Sequence, residues 1–173
     1  DPEVEGAFER ALATLRELGA MVRDVEIPSI HVAPAVIAIY LVEAFTYHEP
    51  DLREHPERYG DVVRERLLAG GLISGSEYTQ AQRLRAQLQA EMSSVLKTVD
   101  VLVTPTSRHA ATPFIVAFNP NTPPLPNNMA PFNMSGLPAL AVPCGFSTAG
   151  LPLSLQIAGR PFDEATVLRV GYA

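Results

Sequence analysis

A serine and a lysine three residues apart are the side chains in this sequence best placed for covalent chemistry. Ser94-Val95-Leu96-Lys97 has the S-x-x-K spacing with which some acyl-transfer enzymes set a serine nucleophile beside its lysine base. A lysine serves as a base near neutral pH only where burial or neighbouring positive charge lowers its pKa. Lys97 is the one lysine of the chain, and helical spacing groups it with Ala86, Ala90, Ser93 and Ser94 rather than with the apolar seam. It is therefore read as a solvated surface residue, and no S-D-N or K-T-G word accompanies it. The histidines His31, His48, His55 and His109 invite a metal reading, above all His48-Glu49 and Glu54-His55. Neither H-E-x-x-H nor H-x-x-E-H is present, and Pro50 is expected to break the helix that would gather ligands on one face. Loop and surface histidines are the expectation, with no metal and no cofactor. The carboxylates fall on solvated faces and offer no acid/base pair.

The elements that would have to position any chemistry are marked mainly by Gly, Pro and cap residues. Asp1-Pro2-Glu3 opens a helix, carried by Val4, Phe8, Ala11, Leu15 and Leu18 and ended by Gly19. Residues 21–27 read as an edge strand because Arg23, Asp24 and Glu26 break its apolar run. Residues 33–48 are almost unbroken in apolarity and predict a largely buried helix. Residues 50–60 read as loop, 61–69 as a short helix stopped by Gly70-Gly71. Ser74 and Glu77 have capping-box spacing, and the helix they open is expected to run to about Thr98, roughly 30 Å at 1.5 Å per residue. Residues 101–104 predict a buried strand delivering the Pro105-Thr106 corner. Eleven of the sixteen prolines lie between Pro105 and Pro161, so residues 107–128 read as a long loop of fixed course. A short helical segment over 129–135 ends where Gly136 supplies a left-handed residue and Pro138 blocks continuation. Residues 139–142 and 153–157 follow as strands, expected to be covered on both faces, and Asp163 caps a last helix with Glu164 in its first turn.

A length of 173 residues suits one domain, and 47% apolar content builds a sizeable core. A net charge of −6 without a basic cluster argues against nucleic-acid binding. The single cysteine, Cys144, excludes an internal disulfide, and no apolar run reads as a signal peptide or membrane span, so a cytoplasmic protein without a membrane partner is expected. The start at Asp1 and the short last helix suggest part of a longer chain.

Four words in order carry a family resemblance: D-V-L-V-T-P-T at 100–106, N-x-x-G-x-P-A at 133–139, V-P-x-G at 142–145 and G-L-P-x-x-L-Q at 150–156. Together they resemble the C-terminal half of the amidase signature family, which hydrolyses carbon–nitrogen bonds of amides. The likeness is strong over residues 74–173 and collinear from residue 2 to 71. It implies an α/β fold with helices packed on part of a mixed β-sheet, and residues 1–173 as the C-terminal part of a single amidase signature domain. It also implies a Ser–cis-Ser–Lys triad that precedes the matched region. Residues 70–76 superficially resemble the family's Gly/Ser-rich loop, but they lack adjacent serines between glycines. No catalytic residue is therefore expected here, and this piece alone is expected to be inactive.

What the resemblance leaves to this chain is scaffold and pocket wall. Residues 110–159 contain no Asp, Glu, Lys or Arg. Buried strands and proline-rich connections need no charges, which is one reading; an uncharged wall suited to a neutral small-molecule amide is the other. On the second, the resemblance implies substrate contacts from the corner Thr104, Pro105 and Thr106 and from the approach carrying Met129, Phe132 and Asn133. The absent N-terminal half would be the main partner, and a homo-oligomer stays open. General amidases fit better than the A subunit of glutamyl-tRNA amidotransferase, because residues 121–132 lack its acidic residue and 74–80 its aromatic run. Arg64 and Arg66, near that relative's substrate-carboxylate arginine, keep the alternative in play. The third alternative is a non-catalytic binding or structural module.

Overall fold

The computed structural model describes residues 1–113 and 128–173. The predicted loop over 107–128 therefore lies largely outside the described residues. In chain order the elements are α1 (Pro2–Glu17), a 3-10 helix (Pro28–Ala35), α2 (Val36–Glu54), a 3-10 turn (Pro56–Arg58), α3 (Asp61–Gly70), α4 (Gly75–Val95), β1 (Val101–Pro105), α5 (Ala130–Ser135), β2 (Ala139–Phe146), β3 (Pro152–Gly159) and α6 (Glu164–Tyr172). The chain packs as two compact units: residues 1–26 with 92–173, and residues 27–91.

The first unit is built on a three-stranded sheet in the order β1-β3-β2, with both pairings antiparallel. Successive residues of a strand face opposite sides, so Leu153, Leu155 and Ile157 share one face of β3 and Ser154, Gln156 and Ala158 the other. The leucine face is the core. Leu155 and Ile157 pack with Val167 of α6 and with Phe8, Ala11 and Leu15 of α1, while Leu153 packs with Val4 and Ala7. A bulge between Pro143 and Gly145 puts Cys144 out of register against that core. Burial raises the Cys144 thiol above its ordinary pKa, against the pull of the nearby Arg10 charge.

The expectation that both flanking strands are covered on two faces holds for β3 and fails for β2. Ala139, Ala141, Pro143 and Phe146 are exposed, because α1 and α6 pack on the opposite face of the sheet. The predicted strand over 21–27 is also absent. Among the described residues that stretch has no partner strand to pair with. Arg23 anchors it instead, its guanidinium donating to the Thr98 carbonyl at 2.9 Å and to Thr98 Oγ1 at 2.6 Å.

Caps set the helix boundaries as the sequence suggested. Asp1 Oδ1 accepts from the Glu3 N–H at 2.8 Å, and Asp163 Oδ1 from Thr166 at 3.3 Å. The capping box of α4 is closed both ways, Glu77 N–H to Ser74 Oγ at 3.2 Å and Ser74 N–H to Glu77 Oε2 at 2.8 Å. α4 ends at Val95, three residues earlier than expected. Arg160 caps the turns beyond it, donating to the carbonyls of Leu96 and Val99 at 2.9 Å each.

In the second unit α2 and α3 pack against each other. Gly70 permits this, since a Cβ there would stand 2.1 Å from the Leu41 carbonyl oxygen. α2 departs from expectation twice. It continues through Pro50 to Glu54, which costs the bond to the Thr46 carbonyl, and its last turn is held by the Arg53–Glu49 pair at 2.7 Å and the His55 N–H to Asp51 carbonyl bond at 2.7 Å. Nor is it largely buried: only Ile39 and Leu52 are, while Tyr40 and Tyr47 are exposed. The stretch Pro28–Glu54 contains an 18-residue window of mean hydropathy 1.6 and so passes for a membrane span by length and composition, a run the sequence reading did not recognise.

Candidate functional site

The end of β1 and the residue after it carry three of the predicted wall residues, Thr104, Pro105 and Thr106. Thr104 points to the face opposite α1 and α6, as does Gln156 directly across the β1–β3 ladder. Gln156 is buried at 5% exposure. A buried primary amide must place its hydrogens, and this one divides them. Its Nε2 donates to Thr104 Oγ1 at 3.2 Å and to the Asn128 carbonyl at 3.1 Å.

Asn128 then ties the chain entering α5 back to the corner. Its backbone N–H donates to the Thr106 carbonyl at 3.1 Å, and its side-chain Nδ2 to the Pro105 carbonyl at 2.7 Å. Thr106 N–H donates to the Ser154 carbonyl at 3.0 Å, extending the ladder one step past the strand. Thr104, Pro105 and Thr106 are thus stitched to the residue before Met129. Thr106 Oγ1 is buried and has no hydrogen-bond partner among the described residues.

The Met129–Asn133 approach is only partly open. Met129 is 40% exposed and its carbonyl accepts from Phe132 and Asn133 at 3.1 and 3.0 Å. Asn133 is exposed. Phe132 is 3% exposed, so its ring packs inside this chain. Gly136 stands at φ 74°, the left-handed conformation expected of it, and its N–H donates to the Phe132 carbonyl at 2.8 Å.

Sequence reasoning missed Gln156 and Asn128. The signal for Gln156 was present: L-S-L-Q-I over 153–157 alternates, which places Gln156 on the face opposite the leucines. Asn128 had no such signal, because its role depends on where β1 ends in space.

The other candidates separate from this corner. Lys97 and Ser94 are exposed. Ser74 is occupied by its capping box, and Ser76 Oγ lies 3.0 Å from Ser74 Oγ. His48 Nδ1 sits 3.1 Å from the Tyr59 hydroxyl, which donates to Asp51 at 2.8 Å and has its pKa raised chiefly by that bond. Arg64 braces the turn before α3, reaching Asp61 at 2.6 Å and the Pro56 and Tyr59 carbonyls at 3.3 Å. Among the described residues no group of three or more His, Cys, Asp or Glu could hold a metal. A cavity of about 420 Å³ opens on the α1 side, lined by Val4, Ser107, His109 and Leu153 among others. It shares no residue with the wall positions. His109 Nδ1 donates to the Ala110 carbonyl at 2.8 Å.

The model of the family described as Amidase matches residues 1–168. An amidase of Pseudomonas putida is 38% identical, over all of this chain and 39% of its own length. The A subunit of the glutamyl-tRNA(Gln) amidotransferase of Chloroflexus aurantiacus is 36% identical, over all of this chain and 41% of its own length. A crystal structure of an amidase superposes with a TM-score of 0.82 at 32% identity, covering 98% of this chain and 40% of that one. The crystal structure of the glutamyl-tRNA(Gln) amidotransferase A subunit from Thermotoga maritima gives 0.69 at 31%, covering 99% and 38%. The chain thus spans about two-fifths of the length of the relatives it resembles.

Proposed function

We propose, from the premise that this chain belongs to the amidase family, that it is the C-terminal part of a cytoplasmic amide hydrolase and supplies one uncharged wall of its substrate pocket. The observation that carries the reading is the end of β1. There the Thr104 hydroxyl, the Gln156 amide and the Asn128 carbonyl meet, with the Arg108 guanidinium 3.5 Å from Asn128 Oδ1, and the stretch from 110 to 159 that contributes Asn128 and Gln156 carries no formal charge. Such a surface binds a neutral amide by shape and by a few placed hydrogen bonds. Thr104, Thr106, Met129 and Asn133 are the contacts in this reading, and Pro105 and Phe132 hold them in place.

The nucleophile, its relay serine and the lysine base belong to a preceding part of the protein, as in the Ser–cis-Ser–Lys mechanism of the family. Lys97 is exposed and lacks the burial that would make it a base. The second reading is the A subunit of a glutamyl-tRNA amidotransferase, favoured by relatives 36% identical over the whole chain. It would add partner subunits and glutamine as ammonia donor.

Ammonia release by the full-length parent from a neutral aromatic amide and from glutamine, with this chain alone as control, tests the proposal. Hydrolysis of the aromatic amide by the parent and none by the chain is expected. Preference for glutamine, with copurifying subunits, would favour the second reading. Turnover by the chain alone, abolished by Lys97→Ala, would overturn the location of the chemistry.

A further inference from the structure

We propose that Gln156 is the positioning residue of the pocket wall, a buried amide whose two donated hydrogen bonds hold the segment from Asn128 into α5 against the β1 corner and so set affinity for the amide substrate. The inference rests on the amide-hydrolase reading for its substrate and on the structure for its geometry. Gln156 lies at the centre of β3, the middle strand, paired in register with Thr104 of β1 on one side and Ala141 of β2 on the other. Its side chain therefore projects from a rigid base. One Nε2 bond goes to the Thr104 hydroxyl at 3.2 Å and the other to the Asn128 carbonyl at 3.1 Å. The first orients a residue of the wall directly. The second acts through Asn128, whose two bonds to the Pro105 and Thr106 carbonyls complete the attachment.

The chemistry demands an amide at this position. The Asn128 carbonyl can only accept, so the side chain must present a donor to it, and the second hydrogen of the same Nε2 goes to the Thr104 hydroxyl oxygen. A glutamate of the same length turns an acceptor toward the Asn128 carbonyl, and a methionine of similar volume offers nothing. Either leaves a carbonyl in a mostly buried place without its donor, and the cheapest relief is for residues 128–135 to swing away from the corner. The core on the other face of β3, built on Leu155 and Ile157, is not touched by the exchange.

The test uses the full-length parent with Gln156→Met, Gln156→Glu and Asn128→Ala. Gln156→Met is expected to raise KM for a neutral amide by about tenfold while kcat changes far less, the signature of lost positioning of bound substrate. Gln156→Glu is expected to show a KM that recovers as pH falls, since a protonated carboxyl regains one donor, which a purely structural role would not produce. Combining Gln156→Met with Asn128→Ala should add little to either, because both release the same segment. Backbone amide exchange of residues 128–135 should quicken in all three. Unchanged exchange there in Gln156→Met overturns the clamp, and quickened exchange with unaltered KM overturns its role in affinity. A wild-type parent that hydrolyses no amide removes the proposed function instead, and the exchange measurement still decides the clamp.

Discussion

In the helical unit carboxylates close the ends of the backbone. Glu91 takes the Ser29 N–H at 2.7 Å and the Ser29 hydroxyl at 2.6 Å at the start of the 3-10 helix, Glu77 closes the cap of α4, and Asp51 accepts from Tyr59 at 2.8 Å. At the end of β1 in the sheet unit the same task falls to Gln156, Asn128 and Thr106, none of which titrates. The groups closed at Ser29 and at the end of β1 are buried or half-buried, whereas the α4 cap is exposed. The two solutions differ in what they leave to the surroundings. A carboxylate cap projects a charge and responds to pH, whereas an amide clamp projects neither. Carboxylate caps also serve the sheet unit, at Asp1 and Asp163, so the contrast is local to the end of β1, where side-chain and backbone amides make the closure.

The largest effect is expected in the sheet unit. Ile157 is 1% exposed between Leu155, Val167 and the helices above β3. Ile157→Ala removes most of that side chain and leaves a cavity, and it is expected to cost about 4 kcal/mol in urea unfolding. A loss under about 1 kcal/mol would mean that the sheet core repacks freely. The counterpart in the helical unit adds volume instead. Gly70→Ala sets a methyl 2.1 Å from the Leu41 carbonyl oxygen and 2.8 Å from Phe45 Cβ, and a cost of about 2 kcal/mol is expected from overpacking, despite the better helix propensity of alanine. Gly75→Ala is the control, because nothing lies within 4 Å of its Cβ position. Equal effects at the two glycines would dissolve the close α2–α3 approach as an explanation.

These two sites also mark what could be read from the residues alone. The cap at Ser74, the left-handed Gly136 and the N-caps at Asp1 and Asp163 depend on partners within four positions, and all were legible. Gly70 was legible only as a stop signal, because its use as a contact surface depends on Leu41, distant in sequence. Residues 21–27 have strand composition but no neighbouring strand, and pairing is a property of two segments rather than one. The apolarity of α2 was plain, whereas its exposure was not, since hydropathy does not say which face finds a neighbour. At the candidate site the corner and its approach were named from the motif words, and the residues that join them were not. Gln156 and Asn128 act across 28 positions of sequence.

A smaller effect is expected at the α4 cap. Ser74→Ala removes the acceptor of the Glu77 N–H and is expected to cost about 1 kcal/mol, while Ser74→Asp keeps an acceptor and should cost less. Unfolding midpoints of the two variants check this, and equal losses would show that the hydroxyl's bond to Glu77 Oε2, rather than the cap, is what matters.

Acid separates the two units most finely. The hydrogen bonds from the Ser29 hydroxyl and N–H hold the Glu91 carboxyl below its ordinary pKa of 4.5, and those from Ser74 do the same for Glu77. A carboxyl whose pKa is lower folded than unfolded contributes stability that is full above the unfolded value and is lost as pH falls through the folded one. The helical unit is therefore expected to weaken below about pH 4.5, where glutamates in the unfolded chain begin to take up protons that the two folded caps still exclude. In the sheet unit, Glu3 is likewise lowered by its bond to the Thr148 N–H, far along the chain from the corner. Four of the five tyrosines, Tyr40, Tyr47, Tyr59 and Tyr78, lie in the helical unit, so tyrosine emission followed from pH 7 to 2 reports mainly on it. Glu91→Gln keeps an acceptor but not the charge, and is expected to lower stability slightly at pH 7 and to flatten the acid transition. If the transition keeps its midpoint and steepness in both Glu91→Gln and Glu77→Gln, the carboxylate caps do not set the acid response of the helical unit, and the division between charged and uncharged closure loses its main consequence.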